Sequence, residues 1–290
     1  MNSKSKIGFM QGRLSPLVGG RIQAFPWDAW AQEFPQAAGC GIGLMEWTLD
    51  QEYLYKNPLL TSTGQAQIRE LCSRHAMAIS SLTGDCFMQA PFWKADATTA
   101  AGLQRDFISI VDACSQVGIE MVVVPLVDNG RLDTRVQEDS LVGFLLSHVD
   151  YFQARGVRVI FECDFEPTEL ARFINRLPKE TFGINYDIGN SAALEFNPKD
   201  EFEAYGHRIV NVHVKDRLLG GTTVPLGTGN AQFEVVFAEL ARVGYAGKFI
   251  LQTARATDDS HAQTLCRYRD MTLAWIAQAG LPVALPSRLN

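Results

Sequence analysis

FGINYDIGNSAALEFNPKDEFEAYGHRIVNVHVKD (182–216) contains two β-rich runs separated by a helix-length amphipathic segment. FGINYD (182–187) and IVNVHVKD (209–216) are typical of buried strands, and the pattern over 199–206 predicts a helix between them. Parallel strands need such a crossover, which is right-handed in nearly all known cases. This stretch therefore predicts one strand–helix–strand unit of a parallel sheet.

The same alternation continues in both directions along the chain. Further strands are predicted at 6–10, 41–47, 78–83, 119–125, 157–162 and 248–252. The other helices are predicted at 27–38, 64–76, 97–117, 137–155, 167–176, 232–243 and 259–279. Eight strand–helix units in a chain of 290 residues favour a closed barrel over an open doubly wound sheet. We expect an α/β fold, with a single (β/α)8 TIM-barrel domain over residues 1–290.

Composition narrows the function classes. The net charge is −6 and no basic stripe is present, which argues against a nucleic-acid partner. The chain has neither a membrane-length apolar run nor a leader-like start, so we expect no membrane partner and a cytoplasmic location. The six cysteines are scattered without close pairs, which indicates free thiols. The apolar residues within 273–286 would suit a contact in a homo-oligomer.

Four polar residues lie at the ends of four successive predicted strands. They are Glu162, Asp187, His213 and Gln252. Active sites of such barrels lie at the C-terminal ends of the strands, so these side chains should meet at one mouth. Two carboxylates, an imidazole and an amide oxygen suit Mn²⁺ or Mg²⁺, with Co²⁺ and Zn²⁺ also open by affinity order. The pattern predicts a divalent-metal site for a small polyhydroxylated substrate.

Two loops at the same mouth carry candidate substrate contacts. The loop 11–26 is long, rich in glycine and proline, and contains Arg13. The loop 215–230 contains Lys215 and Arg217, followed by a Gly-x-Gly pattern. The cationic side chains are candidates for holding an anionic substrate end. The Gly-x-Gly pattern indicates either a phosphate site or only a turn into the next helix.

Other strand-end residues have more than one interpretation. Glu46 either contacts the substrate or forms a buried ion pair, and Trp47 would form a wall of the pocket. Asp85, Asp128 and Asp164 are further acids at strand ends. Each of these three acids is a candidate for a second proton donor.

Four segments carry a family resemblance. They are NYDIGNSAAL (185–194), RIVNVHVKDR (208–217), VPLGTGNAQF (224–233) and GYAGKFILQ (244–252). Together they resemble the sugar phosphate isomerase/epimerase family with the xylose-isomerase-like barrel, closest to the L-xylulose 5-phosphate 3-epimerase and hexulose-phosphate isomerase branch. The resemblance implies a metal held by Glu162, Asp187, His213 and position 252, with Glu162 as the base at the reacting carbon.

The chain departs from this pattern at two positions. The family's epimerases have a second glutamate where this chain has Gln252, and some ketose 3-epimerases have a substrate-contacting histidine where it has Asn190. Glutamine can offer an oxygen to a metal but cannot accept a proton. We expect a metal-dependent sugar or sugar-phosphate isomerase or epimerase acting through an enediolate. A dehydratase similar to inosose dehydratases and a non-catalytic sugar-binding barrel are the alternatives.

Overall fold

The computed structural model describes residues 6–282, and eight parallel strands form a closed barrel within them. The strands are β1 (Ile7–Met10), β2 (Leu44–Thr48), β3 (Ala78–Thr83), β4 (Met121–Leu126), β5 (Arg158–Cys163), β6 (Phe182–Asp187), β7 (Ile209–Val214) and β8 (Lys248–Leu251). Each strand pairs with the next, and β8 pairs with β1. The predicted (β/α)8 barrel is confirmed.

Helices cover the outside of the barrel. They are α1 (Glu33–Gly39), α2 (Ser62–Arg74), α3 (Asp85–Gln89), α4 (Ala97–Val117), α5 (Arg135–Ser147), α6 (Val149–Ala154), α7 (Pro167–Ile174), α8 (Ile188–Ala193), α9 (Pro198–Tyr205), α10 (Phe233–Arg242) and α11 (His261–Gln278). The sequence does not predict α3 or α8, because five and six residues are too few to show a helical period. Both follow directly after a barrel strand, so they begin at the mouth.

The first helix is shorter than the sequence suggests. A helix was predicted over 27–38, but α1 begins only at Glu33, and the preceding residues form turns. Pro35 has no amide hydrogen and its ring would collide with the carbonyl four residues earlier. A helix can therefore include Pro35 only in its first turn, which is where the structure places it.

The helix predicted over 137–155 is divided into α5 and α6 at His148. The backbone of His148 has φ −119°, and its ring nitrogen Nδ1 lies 2.8 Å from the carbonyl oxygen of Phe144. That oxygen is the acceptor that the His148 amide would use in a continuous helix. The ring thus replaces one helical hydrogen bond and ends α5.

Alternation along the strands divides the barrel into layers. Met121, Val123 and Ile160 form a small apolar cluster inside the barrel, with Val210 packed against it. Val159 and Phe161 belong instead to the main core between strands and helices. Polar side chains fill the interior above the apolar cluster, toward the C-terminal ends of the strands. The barrel is therefore a packed core with one polar mouth.

The apolar C-terminal segment packs largely within the chain. The ring of Trp275 stacks on Phe233 with centroids 4.1 Å apart, and Ile276 and Leu281 are buried. Residues 283–286 of the predicted oligomer contact lie outside the described residues, so that contact stays a prediction. Between residues 6 and 282, no helix is long and apolar enough to cross a membrane. All six cysteines are free thiols.

A buried carboxylate joins α5 to α7 and stabilises this side of the barrel. Glu138 is 4% exposed and lies 3.0 Å from Arg135 and 2.7 Å from Arg172, and it also contacts Arg176. The hydrogen bond from Arg172 is the main reason that the pKa of Glu138 falls to about 2 from an ordinary 4.5. The carboxylate therefore contributes stability above about pH 4.5 that is lost as the pH falls toward 2.

We expect Glu138→Gln to lower the free energy of unfolding by about 2–3 kcal/mol at pH 7, because it removes the charge that three arginines share. Urea denaturation at pH 7 and pH 3 measures this, and the difference from wild type should shrink at the lower pH. Glu169→Gln is the matched control, since Glu169 is half-exposed and pairs with the same Arg172. It should cost about 0.5 kcal/mol or less. Equal losses in both variants would contradict the prediction.

Candidate metal and active site

Three strand ends bring together two carboxylates and one imidazole. Glu162, Asp187 and His213 each offer one ligand atom, and these atoms all lie within 4.8 Å of one another. Nδ1 of His213 is 3.1 Å from Oε2 of Glu162 and 3.8 Å from Oδ2 of Asp187. The residues come from the adjacent strands β5, β6 and β7, and Asp187 pairs in register with His213. All three are at least nine-tenths buried.

A hydrogen bond to Glu46 fixes the orientation of the His213 ring. Its Oε1 lies 2.6 Å from Nε2 of His213, and Ser81, Thr83 and Asn211 donate further hydrogen bonds to the carboxylate. Burial by itself raises the pKa of Glu46, but the charge of His213 and these hydrogen bonds lower it overall. Ionised Glu46 therefore accepts the Nε2 hydrogen, and Nδ1 faces the two carboxylates. The structure gives Glu46 a positioning role, with no exposure to a substrate.

Two buried asparagines that sequence reasoning did not select complete the interior network. The amide nitrogen of Asn185 lies 3.1 Å from Oε2 of Glu162 and 3.0 Å from Nδ1 of His213. Asn211 donates to the side-chain oxygen of Asn185 at 2.8 Å and to Glu46 at 3.1 Å. The available signal was their position, two residues before Asp187 and His213 on the same strand faces.

Lys215 connects the cluster to the cavity. Its Nζ lies 3.1 Å from Oδ2 of Asp187, 3.0 Å from Oδ1 of Asn190 and 3.2 Å from Oε1 of Gln252. Burial raises the pKa of Asp187, but the charge of Lys215 and contacts with His213 hold it well below its usual range. Asn190 donates to Oε1 of Glu162 at 2.6 Å and accepts from Arg217 at 2.8 Å. Asn190 thus positions Glu162 from the substrate side.

Gln252, the fourth predicted ligand, lies beside the cluster and faces the loop 11–26. It accepts from Lys215, and its amide nitrogen donates to Oε1 of Gln23 at 2.9 Å. Gln23 in turn donates to both carboxylate oxygens of Asp85, at 3.0 and 2.8 Å. A chain of side-chain hydrogen bonds therefore crosses one side of the mouth, from Lys215 to Asp85.

Two predicted substrate contacts lie away from the cavity. Arg13 is buried and donates to the carbonyl of Ile22 at 3.1 Å and to Gln23 at 3.3 Å, so it holds the loop 11–26 in place. Trp47 is fully buried, and its Nε1 donates to the side-chain oxygen of Asn57 at 3.1 Å. Neither side chain is part of the cavity wall, and only Arg13 contacts residues that are, namely Ile22 and Gln23.

The Gly-x-Gly loop is organised by a carboxylate of the chain. Asp216 accepts hydrogen bonds from the backbone amides of Gly227 and Gly229 at 2.9 Å and of Ala231 at 3.1 Å. These amides are the donors that a phosphate would need. Because Asp216 uses them, the structure favours the turn interpretation of this loop. Arg217 reaches the cavity from the same loop.

The mouth contains a cavity of about 600 Å³. Its wall includes Gln23, Asp85, Glu162, Asn190, Lys215, Arg217 and Gln252. The wall also includes apolar residues such as Met88, Val127 and Leu194, and its charged and amide groups offer hydrogen-bond partners for a ligand with hydroxyl groups.

The donor set of the cluster fits a divalent cation. Burial lowers the pKa of His213, but Glu46, Asp187 and Glu162 together raise it well above its usual value. The same carboxylates that attract a proton to Nδ1 would attract a metal ion. Glu162, Asp187 and Nδ1 of His213 would serve as ligands, while Glu46 holds the other ring nitrogen, as is usual for metal-bound histidines. The oxygen of Gln252 would be an additional donor, although Lys215 contacts it here.

Fold and site together define a (β/α)8 barrel with a carboxylate–histidine cluster at its C-terminal mouth. A family model described as xylose isomerase-like TIM barrel matches residues 34–270. The chain belongs to that family, which confirms the resemblance found in the sequence.

A curated relative, L-ribulose-5-phosphate 3-epimerase UlaE of Salmonella paratyphi C (strain RKS4594), is 37% identical over 101 residues. That match covers 34% of this chain and 36% of the relative, so the chain spans about a third of the length of the curated relatives it matches.

Two solved structures share the fold at low sequence identity. The IOLI protein with a binding zinc atom gives a TM-score of 0.74 at 16% identity, covering 93% of this chain and 98% of that one. A xylose isomerase-like TIM barrel protein from Mycobacterium smegmatis in complex with magnesium gives 0.66 at 16% identity, covering 89% and 91%.

Proposed function

We propose that the protein is a divalent-metal-dependent epimerase of sugar phosphates that inverts the carbon next to a ketose carbonyl. The observation that carries the proposal is the placement of Glu162. One of its oxygens lies beside His213 and Asn185, and the other accepts from Asn190 at the cavity wall. The local similarity to an L-ribulose-5-phosphate 3-epimerase supports a five-carbon ketose phosphate as substrate.

The chain supplies the groups for proton abstraction beside a carbonyl. Glu162 removes the hydrogen of the reacting carbon as a proton, and Asn190 holds the carboxylate in position. Lys215 and Arg217 bind the anionic oxygens of the substrate at the rim. When bound, a divalent cation supplies Lewis-acid stabilisation of the negative charge that develops on the substrate. The oxygen-rich ligand set favours Mn²⁺ or Mg²⁺, and the zinc-bearing structural neighbour keeps Zn²⁺ among the metals to test.

The direct test is incubation with L-ribulose 5-phosphate in the presence of Mn²⁺, Mg²⁺, Co²⁺ or Zn²⁺. Nuclear magnetic resonance should detect L-xylulose 5-phosphate, the epimer at C3, and EDTA should abolish its formation. An aldose product would mean isomerisation, and loss of water would mean a dehydratase. Binding without any product, under all four metals, would contradict the enzyme and favour a sugar-binding barrel.

A charge placed at position 252 tests the proposed metal site. We expect Gln252→Glu to raise the affinity for Mn²⁺ about tenfold, or about 1.4 kcal/mol, because it adds a carboxylate beside Asp187. Lys215 would pair with the new group and keep the gain modest. Isothermal titration calorimetry measures the change, with Gln263→Glu on the exposed surface of α11 as the matched control. Unchanged or weaker binding in Gln252→Glu would contradict a metal close to position 252.

A further inference from the structure

A second buried carboxylate faces the cavity. Asp85 is the first residue of α3, is 5% exposed and lines the same cavity as Glu162. The amide nitrogen of Gln23 donates to both carboxylate oxygens of Asp85. Within residues 6–282, no cationic side chain forms an ion pair with Asp85. Each carboxylate oxygen has a second lone pair, so one contact from Gln23 leaves acceptor capacity on both. Asp85 is thus a carboxylate at the site without an ion-pair partner among the described residues.

A two-base reaction needs two acids at one cavity, and both Asp85 and Glu162 line it. Glu162 lies near the end of β5 and Asp85 follows β3, whereas Gln23 connects Asp85 to Gln252 directly after β8. Only the side chain of Gln23 therefore separates Asp85 from Gln252, whose amide cannot transfer a proton. The other two candidate acids are placed differently. Asp164 pairs with Arg131 at 3.4 Å, and Asp128 is exposed at the rim.

We propose that Asp85 is the second catalytic residue and exchanges a proton with the face of the substrate carbon opposite Glu162. The inference rests on the proposed epimerase function. For one epimer, Glu162 takes the proton as the C–H bond breaks, and protonated Asp85 gives its proton to the other face as the new C–H bond forms. Solvent then removes the proton from Glu162 and returns one to Asp85. The opposite epimer reacts with the two roles exchanged, and no oxidant or reductant is needed.

The electrostatics of Asp85 suit a group with two roles. Burial raises its pKa to about 7, against a lowering by the Gln23 hydrogen bond. The charges of Asp50 and Glu162 raise it further and that of Arg13 lowers it. Both protonation states are therefore populated near neutral pH, as a residue that donates in one direction and accepts in the other needs. The other charged groups at the cavity wall are Arg21, Asp128, Asp164, Lys215 and Arg217.

Deuterium exchange distinguishes the two faces. L-ribulose 5-phosphate and L-xylulose 5-phosphate are incubated separately in D₂O with Mn²⁺ and wild type, Asp85→Asn or Glu162→Gln. We expect Asp85→Asn to lose inversion at least about 100-fold. It should still place deuterium at C3 of one epimer without inversion, and Glu162→Gln should show this with the other epimer. Asp150→Asn on the exposed surface of α6 is the control and should keep inversion within about twofold, because Asp150 lies outside the cavity.

Wild-type inversion rates in Asp85→Asn would overturn the proposal, as would loss of both inversion and exchange in a folded Asp85→Asn. A wild type that neither inverts nor exchanges would instead refute the proposed function. The wild type alone provides a second measurement. The form with Asp85 protonated and Glu162 ionised carries the same number of protons as the form with these roles exchanged. The kcat/KM values of both epimers should therefore share one pH profile and decline together as the pH rises through about 7. Profiles that do not decline there, or that differ between the two epimers, would also overturn the assignment.

Discussion

Glu162→Gln is expected to reduce inversion of L-ribulose 5-phosphate about 10³-fold, since it removes the carboxylate that takes the proton while keeping the side-chain shape. The amide has one oxygen, which can serve either Asn190 or a metal ion, so Mn²⁺ binding should also weaken, but less than turnover. Turnover measured at saturating Mn²⁺, together with calorimetric Mn²⁺ affinity, separates these two effects.

The control for this variant is Glu166→Gln, an exposed residue four positions later at the start of α7. It should retain activity within about twofold, because it is outside the cavity. If Glu162→Gln inverted the substrate at the wild-type rate, Glu162 would not be a base. The cluster would then serve only to bind a metal.

Asp187→Asn should weaken Mn²⁺ binding at least about 100-fold, because loss of a partner that only orients a ligand already costs about 10–100-fold. The change is mild for the fold. Oδ1 of Asp187 accepts from the amide of Asn190 at 2.8 Å at the start of α8, and asparagine can keep that bond. Calorimetry on metal-free protein measures the affinity, and thermal unfolding of the metal-free forms checks that the fold is kept.

Asp200→Asn removes the same charge from an exposed position in the first turn of α9 and should leave Mn²⁺ affinity unchanged. The comparison removes the effect of net charge from the result. Wild-type affinity in Asp187→Asn would mean that the cluster is a network of ion pairs around His213 and Lys215 without a metal.

The sequence alone determined the barrel and most of its polar mouth. Alternation of strand and helix patterns predicted all eight strands, because burial on both faces gives parallel strands a strong apolar signal. Parallel strands also place their ends at one mouth, so Glu162, Asp187 and His213 could be grouped without coordinates. The start of α1 could also have been predicted from the sequence, since Pro35 excludes a helix that begins much earlier.

Tertiary structure alone decided what each polar group contacts. Glu46 meets His213 across 167 positions of sequence, and Gln23 meets Gln252 across 229. Local patterns carry no information about such contacts, because barrel closure and strand register set them. The same holds for Asp216, which occupies the amides of the Gly-x-Gly loop, and for Asp85. A strand pattern shows which strand end carries a side chain. Its chemistry is decided by hydrogen bonding and burial, which depend on the whole packed chain.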